Sequence, residues 1–99
     1  MAKYRLTNKA IGDLSDIWNY TFETRSEKQA DIYYRFLLKN CRQLAGNQKL
    51  GKHYDEVAVD LLGYKTGQHI LFYRIVSKEE IEVIRILHSR IDLKNRMHE

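Results

Sequence analysis

The chain has 99 residues, 43% of them apolar and 11% aromatic, which suffices for one small domain around a single modest core. Charged residues make up 30% and are spread along the chain, which excludes a disordered tail protein, and no run approaches the roughly 18 consecutive apolar residues of a membrane span. The formal charge of +4 comes from residues 1–50, with nine Lys/Arg against five Asp/Glu, because residues 51–99 hold eight of each; acids interrupt nearly every basic cluster, which disfavours a direct nucleic-acid binder.

The opening Met1-Ala2-Lys3-Tyr4-Arg5 turns polar at once and has no apolar signal region, so a cytoplasmic protein is expected. Lys3-Tyr4-Arg5-Leu6 alternates long enough for one short strand, and Thr7 supplies a hydroxyl that can cap the next helix. From Asn8 onward Ile11, Leu14, Ile17, Trp18 and Phe22 recur at helical spacing, which predicts a first helix with Trp18 in the core. Gly12 costs this helix about 1 kcal/mol relative to alanine, so it either permits close packing or is tolerated slack.

Ser26-Glu27-Lys28-Gln29 has the capping-box pattern and starts a second helix, antiparallel to the first across a short break. Its stripe is Ala30, Tyr33, Tyr34, Leu37, Leu38, Cys41, Leu44 and Ala45, wide enough to face both helix one and a sheet, and Gly46-Asn47 stops it. Cys41, the one cysteine, is read as a small buried apolar side chain; it has no partner for an internal disulfide and fits a reducing compartment.

Residues 48–60 are polar and glycine-interrupted and read as a loop, followed by a weak strand over 61–65 and a Thr66-Gly67 turn. Residues 69–76 are apolar on both alternating sets, as in a strand covered on both faces, and residues 81–88 return through Ser77-Lys78-Glu79-Glu80 to close a hairpin. The expected fold is α+β: a short N-terminal strand, then an antiparallel two-helix hairpin packed on a small antiparallel sheet, in the order β-α-α-β-β-β. Residues 1–99 form one domain without repeats or linker, with 93–99 a candidate flexible tail.

Several segments, in this order over roughly residues 4–92, together resemble the ParE toxins of the RelE/ParE toxin–antitoxin superfamily. Tyr4-Arg5-Leu6-Thr7 is similar to the opening strand and cap, and Asp13-Leu14-Ser15-Asp16-Ile17-Trp18-Asn19-Tyr20 to the acidic, aromatic first helix. Gln29-Ala30 with Tyr33, and Leu44-Ala45-Gly46-Asn47, resemble the second helix, and Leu50-Gly51-Lys52 the loop after it. Gly67-Gln68-His69-Ile70-Leu71-Phe72-Tyr73-Arg74 and Ile84-Arg85-Ile86-Leu87-His88 resemble the closing hairpin. Two positions depart from the family pattern: Gln48 stands where Pro is frequent, and Ile91 where Met is frequent.

The resemblance implies a toxin that inhibits DNA gyrase, serves plasmid maintenance and is neutralised by a cognate ParD-like antitoxin, with no catalysis, cofactor, metal or membrane and with nucleic acid met only through gyrase or antitoxin. It places gyrase contact on the last strand and tail, where Arg85, His88, Arg90, Lys94 and Arg96 are the candidates. Lys28, Arg35, Lys39 and Arg42, at helical spacing on helix two, are the candidates for an acidic or amphipathic antitoxin segment. A free sheet edge is a second docking option. Arg74 and His69 are read as structural, since a strand Arg can lay its stem on apolar neighbours and keep its head wet.

The alternatives are a ribosome-dependent mRNA endonuclease of the RelE branch and an inactive antitoxin-binding module. RNA cleavage through the 2′-hydroxyl needs a base, an acid and cations for the phosphate. The cleaving branch commonly carries an Arg two residues before the Phe-Tyr pair; here that position is Ile70, while Lys65, His69, Arg85 and His88 remain as acid or cationic groups.

Overall fold

A computed structural model describes residues 1–91. The Lys94 and Arg96 candidates and the 93–99 tail lie outside the described residues.

The expected element order is present. Strand β1 (Lys3–Leu6) leads into helix α1 (Asn8–Thr24), whose Thr7 hydroxyl accepts the Ala10 N–H at 3.1 Å. Helix α2 (Glu27–Gly46) starts under Ser26, whose hydroxyl accepts the Gln29 N–H at 3.1 Å, and stops where the Asn47 N–H reaches Gln43 O and Leu44 O. These two caps satisfy donors that the first helical turn leaves orphaned, so the hairpin's start points follow from local sequence.

The stretch read as a loop carries more order than expected: a 3₁₀ turn (Gln48–Leu50) and a two-residue strand β2 (Lys52–His53). Then come β3 (Leu62–Thr66), β4 (His69–Ser77) and β5 (Glu80–His88). The sheet order is β1-β5-β4-β3-β2. It is antiparallel throughout except at one edge, where β1 runs parallel to β5 with Tyr4 opposite Ile81 and Leu6 opposite Val83. A register shift between Phe72 and Tyr73 separates the two halves of the β4–β5 ladder.

The two apolar sets of β4 explain why the sheet is covered twice. Leu71 and Tyr73, with Leu62, Ile81, Val83 and Ile86, pack against Ala10, Leu14, Leu37, Cys41 and Leu44 of the helices. Ile70 and Phe72 face the other way, into a smaller cluster with Leu61 and Leu87, roofed by Tyr54, Val57 and Ala58. Cys41 is fully buried, and burial pushes its thiol up to about 12, which makes it the inert apolar filler expected.

Tyr73 fastens the 48–51 turn to the sheet: its hydroxyl donates to Gln48 O at 2.7 Å and accepts the Gly51 N–H at 3.0 Å. A Cβ at Gly51 would meet that hydroxyl oxygen at 2.5 Å.

The first-helix stripe splits. Ala10, Asp13 and Leu14 are buried, while Ile11 and Phe22 are about half exposed. Trp18 is corrected from core to half-buried: its indole N–H donates to Asp31 Oδ1 on α2 at 2.9 Å and its ring stacks on Phe22 at 5.3 Å. A polar indole edge is best placed where one side is apolar and the N–H still finds an acceptor, and the crevice between the helices provides both.

Candidate functional site

Arg85, one of the residues expected at the contact surface, lies buried against the first helix. It is 7% exposed, and its guanidinium grips Asp13 of α1 in two parallel bonds, Nε to Oδ2 and Nη2 to Oδ1, each 2.9 Å. A buried guanidinium is best satisfied by a carboxylate in this fork geometry, and Asp13 holds Arg85 inward. The same Asp13 Oδ2 accepts the Ile86 N–H at 2.9 Å.

The reason lies at the sheet edge. Strand β1 covers β5 only as far as Val83; beyond it the Thr7 hydroxyl donates to Ile84 O at 2.7 Å and Asp13 takes Ile86. Side chains at the start of α1 therefore replace the missing strand, satisfying backbone groups that would otherwise be buried unpaired.

His88 and Arg90 are exposed at the far end of β5. His88 pairs directly with His69 across the β4–β5 ladder, ring centroids 5.4 Å apart. His69 is half-buried, and its Nδ1 lies 2.7 Å from the Tyr33 hydroxyl, which already accepts the Gln68 N–H at 3.0 Å. The Tyr33 hydroxyl thus ties the His69 ring to the backbone at the β3–β4 turn. Burial first, and then the neighbouring His88, lower His69 to about 4, so it is uncharged at neutral pH. These rings floor an open groove of about 810 Å³ between the helix-hairpin tip and the β3–β4 turn, with Asp16, Tyr20 and Arg25 on its walls. The uncharged His69 imidazole beside Asp16 and Arg25 makes a groove of mixed polarity, able to take an apolar or mixed side chain.

Arg74 reaches Val59 O at 3.4 Å through Nε and Nη2 and braces the 54–61 loop, the structural role expected of it. Lys28, Arg35, Lys39 and Arg42 are all exposed on one side of α2, with Ile32, 47% exposed, among them. The structure thus brings the four cations into one row, three to seven positions apart, and sets an apolar side chain inside it.

A second concavity, of about 560 Å³, escaped the sequence reading. It lies where β2 leaves β3 and gathers Lys52, Tyr54, Tyr64, Lys65, Ile70 and Arg90 from four separate stretches of chain. The sequence marks Lys65, Ile70 and Arg90 separately; nothing local signals that they meet each other and Lys52.

A two-helix hairpin laid on a β-sheet is a fold also found in solved toxin–antitoxin systems. The solved chromosomal ParDE toxin–antitoxin system of P. aeruginosa superposes with a TM-score of 0.75 at 18% identity, covering 89% of this chain and 96% of that one. The RelBE2 toxin–antitoxin complex of Mycobacterium tuberculosis gives 0.61 at 17% identity, covering 88% and 96%. At these identities the likeness is one of fold. The family follows from sequence: residues 4–93 match the family described as the ParE toxin of the type II toxin–antitoxin system parDE. Toxin ParE1 of Mycobacterium tuberculosis is 33% identical over 92 residues, covering 93% of this chain and 94% of the relative. Toxin ParE1 of Caulobacter vibrioides is 30% identical over 94 residues, covering 95% and 96%. The chain belongs to the ParE toxin family of type II toxin–antitoxin systems.

Proposed function

We propose that this toxin inhibits DNA gyrase without cleaving nucleic acid, acts in the cytoplasm in the service of plasmid maintenance, and is held inactive by a cognate ParD-like antitoxin. The observation that carries the non-cleaving reading is Ile70. It stands on β4 where the RNA-cleaving branch commonly carries an arginine, and its side chain, 6% exposed, packs into the second core. An aliphatic group there cannot neutralise charge developing on a phosphate. Arg85, the arginine among the remaining cationic candidates, is bonded in a fork to Asp13.

The gyrase-facing surface is the exposed end of β5, His88 and Arg90, continuing in sequence to Lys94 and Arg96. Arg85 drops out of that set. The antitoxin-facing surface is the α2 row of Lys28, Arg35, Lys39 and Arg42, whose embedded Ile32 suits an acidic amphipathic helix that offers one apolar anchor and flanking carboxylates. Type II pairing in the family and the toxin–antitoxin complexes among the fold neighbours support such a partner.

The test is supercoiling of relaxed plasmid by purified gyrase with this protein added. Supercoiling is expected to fall with rising protein, and a His88→Ala, Arg90→Ala double variant of unchanged circular dichroism is expected to inhibit less. Full supercoiling at high molar excess would sink the gyrase reading. The same samples incubated with translating ribosomes separate the rivals: cut transcripts mean a nuclease, and inertness in both assays means a module that only binds antitoxin.

A further inference from the structure

The cleft between β2 and β3 is used neither by the gyrase-facing surface, Arg90 apart, nor by the antitoxin row. Its position follows from a mismatch in strand length. Strand β2 pairs with only Leu62 and Gly63, through His53 and Lys52, whereas β3 continues to Thr66. The chain before Lys52 turns away into Gly51 and Leu50, so among the described residues no strand lies beyond residues 64–66 on the side away from β4. An edge of this kind presents unpaired N–H and C=O groups to any extended chain that fits beside it.

The surroundings say what kind of chain fits. Lys52, Lys65 and Arg90 line the cleft, and among the described residues no carboxylate does. Lys52 Nζ sits 5.2 Å over the Tyr54 ring, which holds its charge near the mouth. The floor is apolar and partly aromatic: Ile70 is buried, Tyr54 is half-buried and Leu50 is 47% exposed, while the half-buried Tyr64 packs toward the helices on the other side of β3. The floor is also tight, because a Cβ at Gly63 would meet Tyr54 Cε1 at 2.5 Å, so glycine there lets Tyr54 lie flat against the strand.

We propose that this cleft docks an acidic, extended peptide segment of a partner protein, which adds as a strand to the free edge of β3 at residues 64–66. Its backbone pairs with the edge, its carboxylates meet Lys52, Lys65 and Arg90, and an apolar side chain pointing to the helix side of the sheet covers Tyr64. A nucleic-acid strand uses less of what is present. It leaves the backbone edge unpaired, and the three cations form a short cluster with Asp55 and Glu56 following directly after Tyr54, not the long basic track a polyphosphate backbone requires.

The experiment uses the whole purified chain and a fluorescein-labelled eight-residue peptide of alternating glutamate and valine, read by anisotropy. The reading is separate from gyrase inhibition, because no gyrase is present. Saturable binding is expected, weakening as salt rises, with about a tenfold loss of affinity in a Lys65→Glu, Arg90→Glu variant whose circular dichroism is unchanged. Should the reversals disturb folding, Lys65→Gln alone replaces them and is expected to weaken binding about threefold. A peptide N-methylated at alternate positions along one backbone edge is expected not to bind. Equal binding of the N-methylated peptide would refute strand addition, no saturable binding of the parent would refute the site, and tighter binding of an eight-nucleotide oligouridylate would reassign it to nucleic acid.

Discussion

Asp13 and Arg85, 72 positions apart in sequence, form a buried, two-bond ion pair that joins the first helix to the last strand. With the third bond from the Ile86 N–H, one carboxylate both neutralises a buried cation and closes a strand edge.

Breaking this pair from one side leaves the other charge buried without its fork partner. Asp13→Ala is expected to destabilise the fold by about 3–5 kcal/mol, measured by urea denaturation. Asp13→Leu combined with Arg85→Met is expected to recover most of that loss, short of about 1 kcal/mol for the unpaired Ile86 N–H. A double variant no more stable than Asp13→Ala would show that the pair's charges are not what the site depends on.

The Tyr73 hydroxyl should matter more than its single oxygen suggests. Tyr73→Phe removes partners from both Gln48 O and Gly51 N–H while keeping the ring, so a cost of about 1–3 kcal/mol is expected. Proteolytic nicking near residues 48–51 is expected to quicken in the variant, since that turn loses its tie to the sheet. An unchanged midpoint and unchanged cleavage pattern would contradict the clasp.

Gly12 offers a gain. Beyond its own helical turn nothing lies within 4 Å of the position its Cβ would take, so the residue is slack rather than a close-packing contact, and it is exposed on α1. Gly12→Ala is expected to raise stability by about 0.5–1 kcal/mol. Thermal unfolding checks this, and a lowered midpoint would mean the helix is not regular at this point.

His69 gives a pH signature with a definite sign. Its folded value is lowered to about 4 from 6.5, so between those values the unfolded chain binds the proton and the folded chain resists it. The stability this group contributes is complete above pH 6.5 and is lost as pH falls toward 4. His69→Gln is therefore expected to flatten the fall in melting temperature across that window relative to the parent protein. Parallel curves for the two would place the acid sensitivity elsewhere.

The helices and the strong hairpin were legible because their signals are local. Thr7 and Ser26 sit one residue before helices that begin where capping chemistry says they should. The double apolar set of residues 69–76 announced a strand with cover on both faces, and two clusters supply that cover. The ordered 3₁₀ turn and β2 were missed because Tyr73, far along the chain, holds that stretch in place.

Sequence by itself determined the family, the order of the elements and which segments are amphipathic, because periods of 3.6 and 2 are written within a dozen residues. It also placed Lys28, Arg35, Lys39 and Arg42 in one row, since a helix fixes that geometry without help from the rest of the chain. Tertiary structure alone decided that β1 lies parallel to β5, that Arg85 turns inward to Asp13 while His88 and Arg90 stay outside, and that Lys52, Lys65 and Arg90 meet at one cleft. Each of these depends on strand register and on where β1 runs out along β5. Such pairings join residues tens of positions apart, and burial, which no single residue type dictates, then sorts like cations into structural and surface roles.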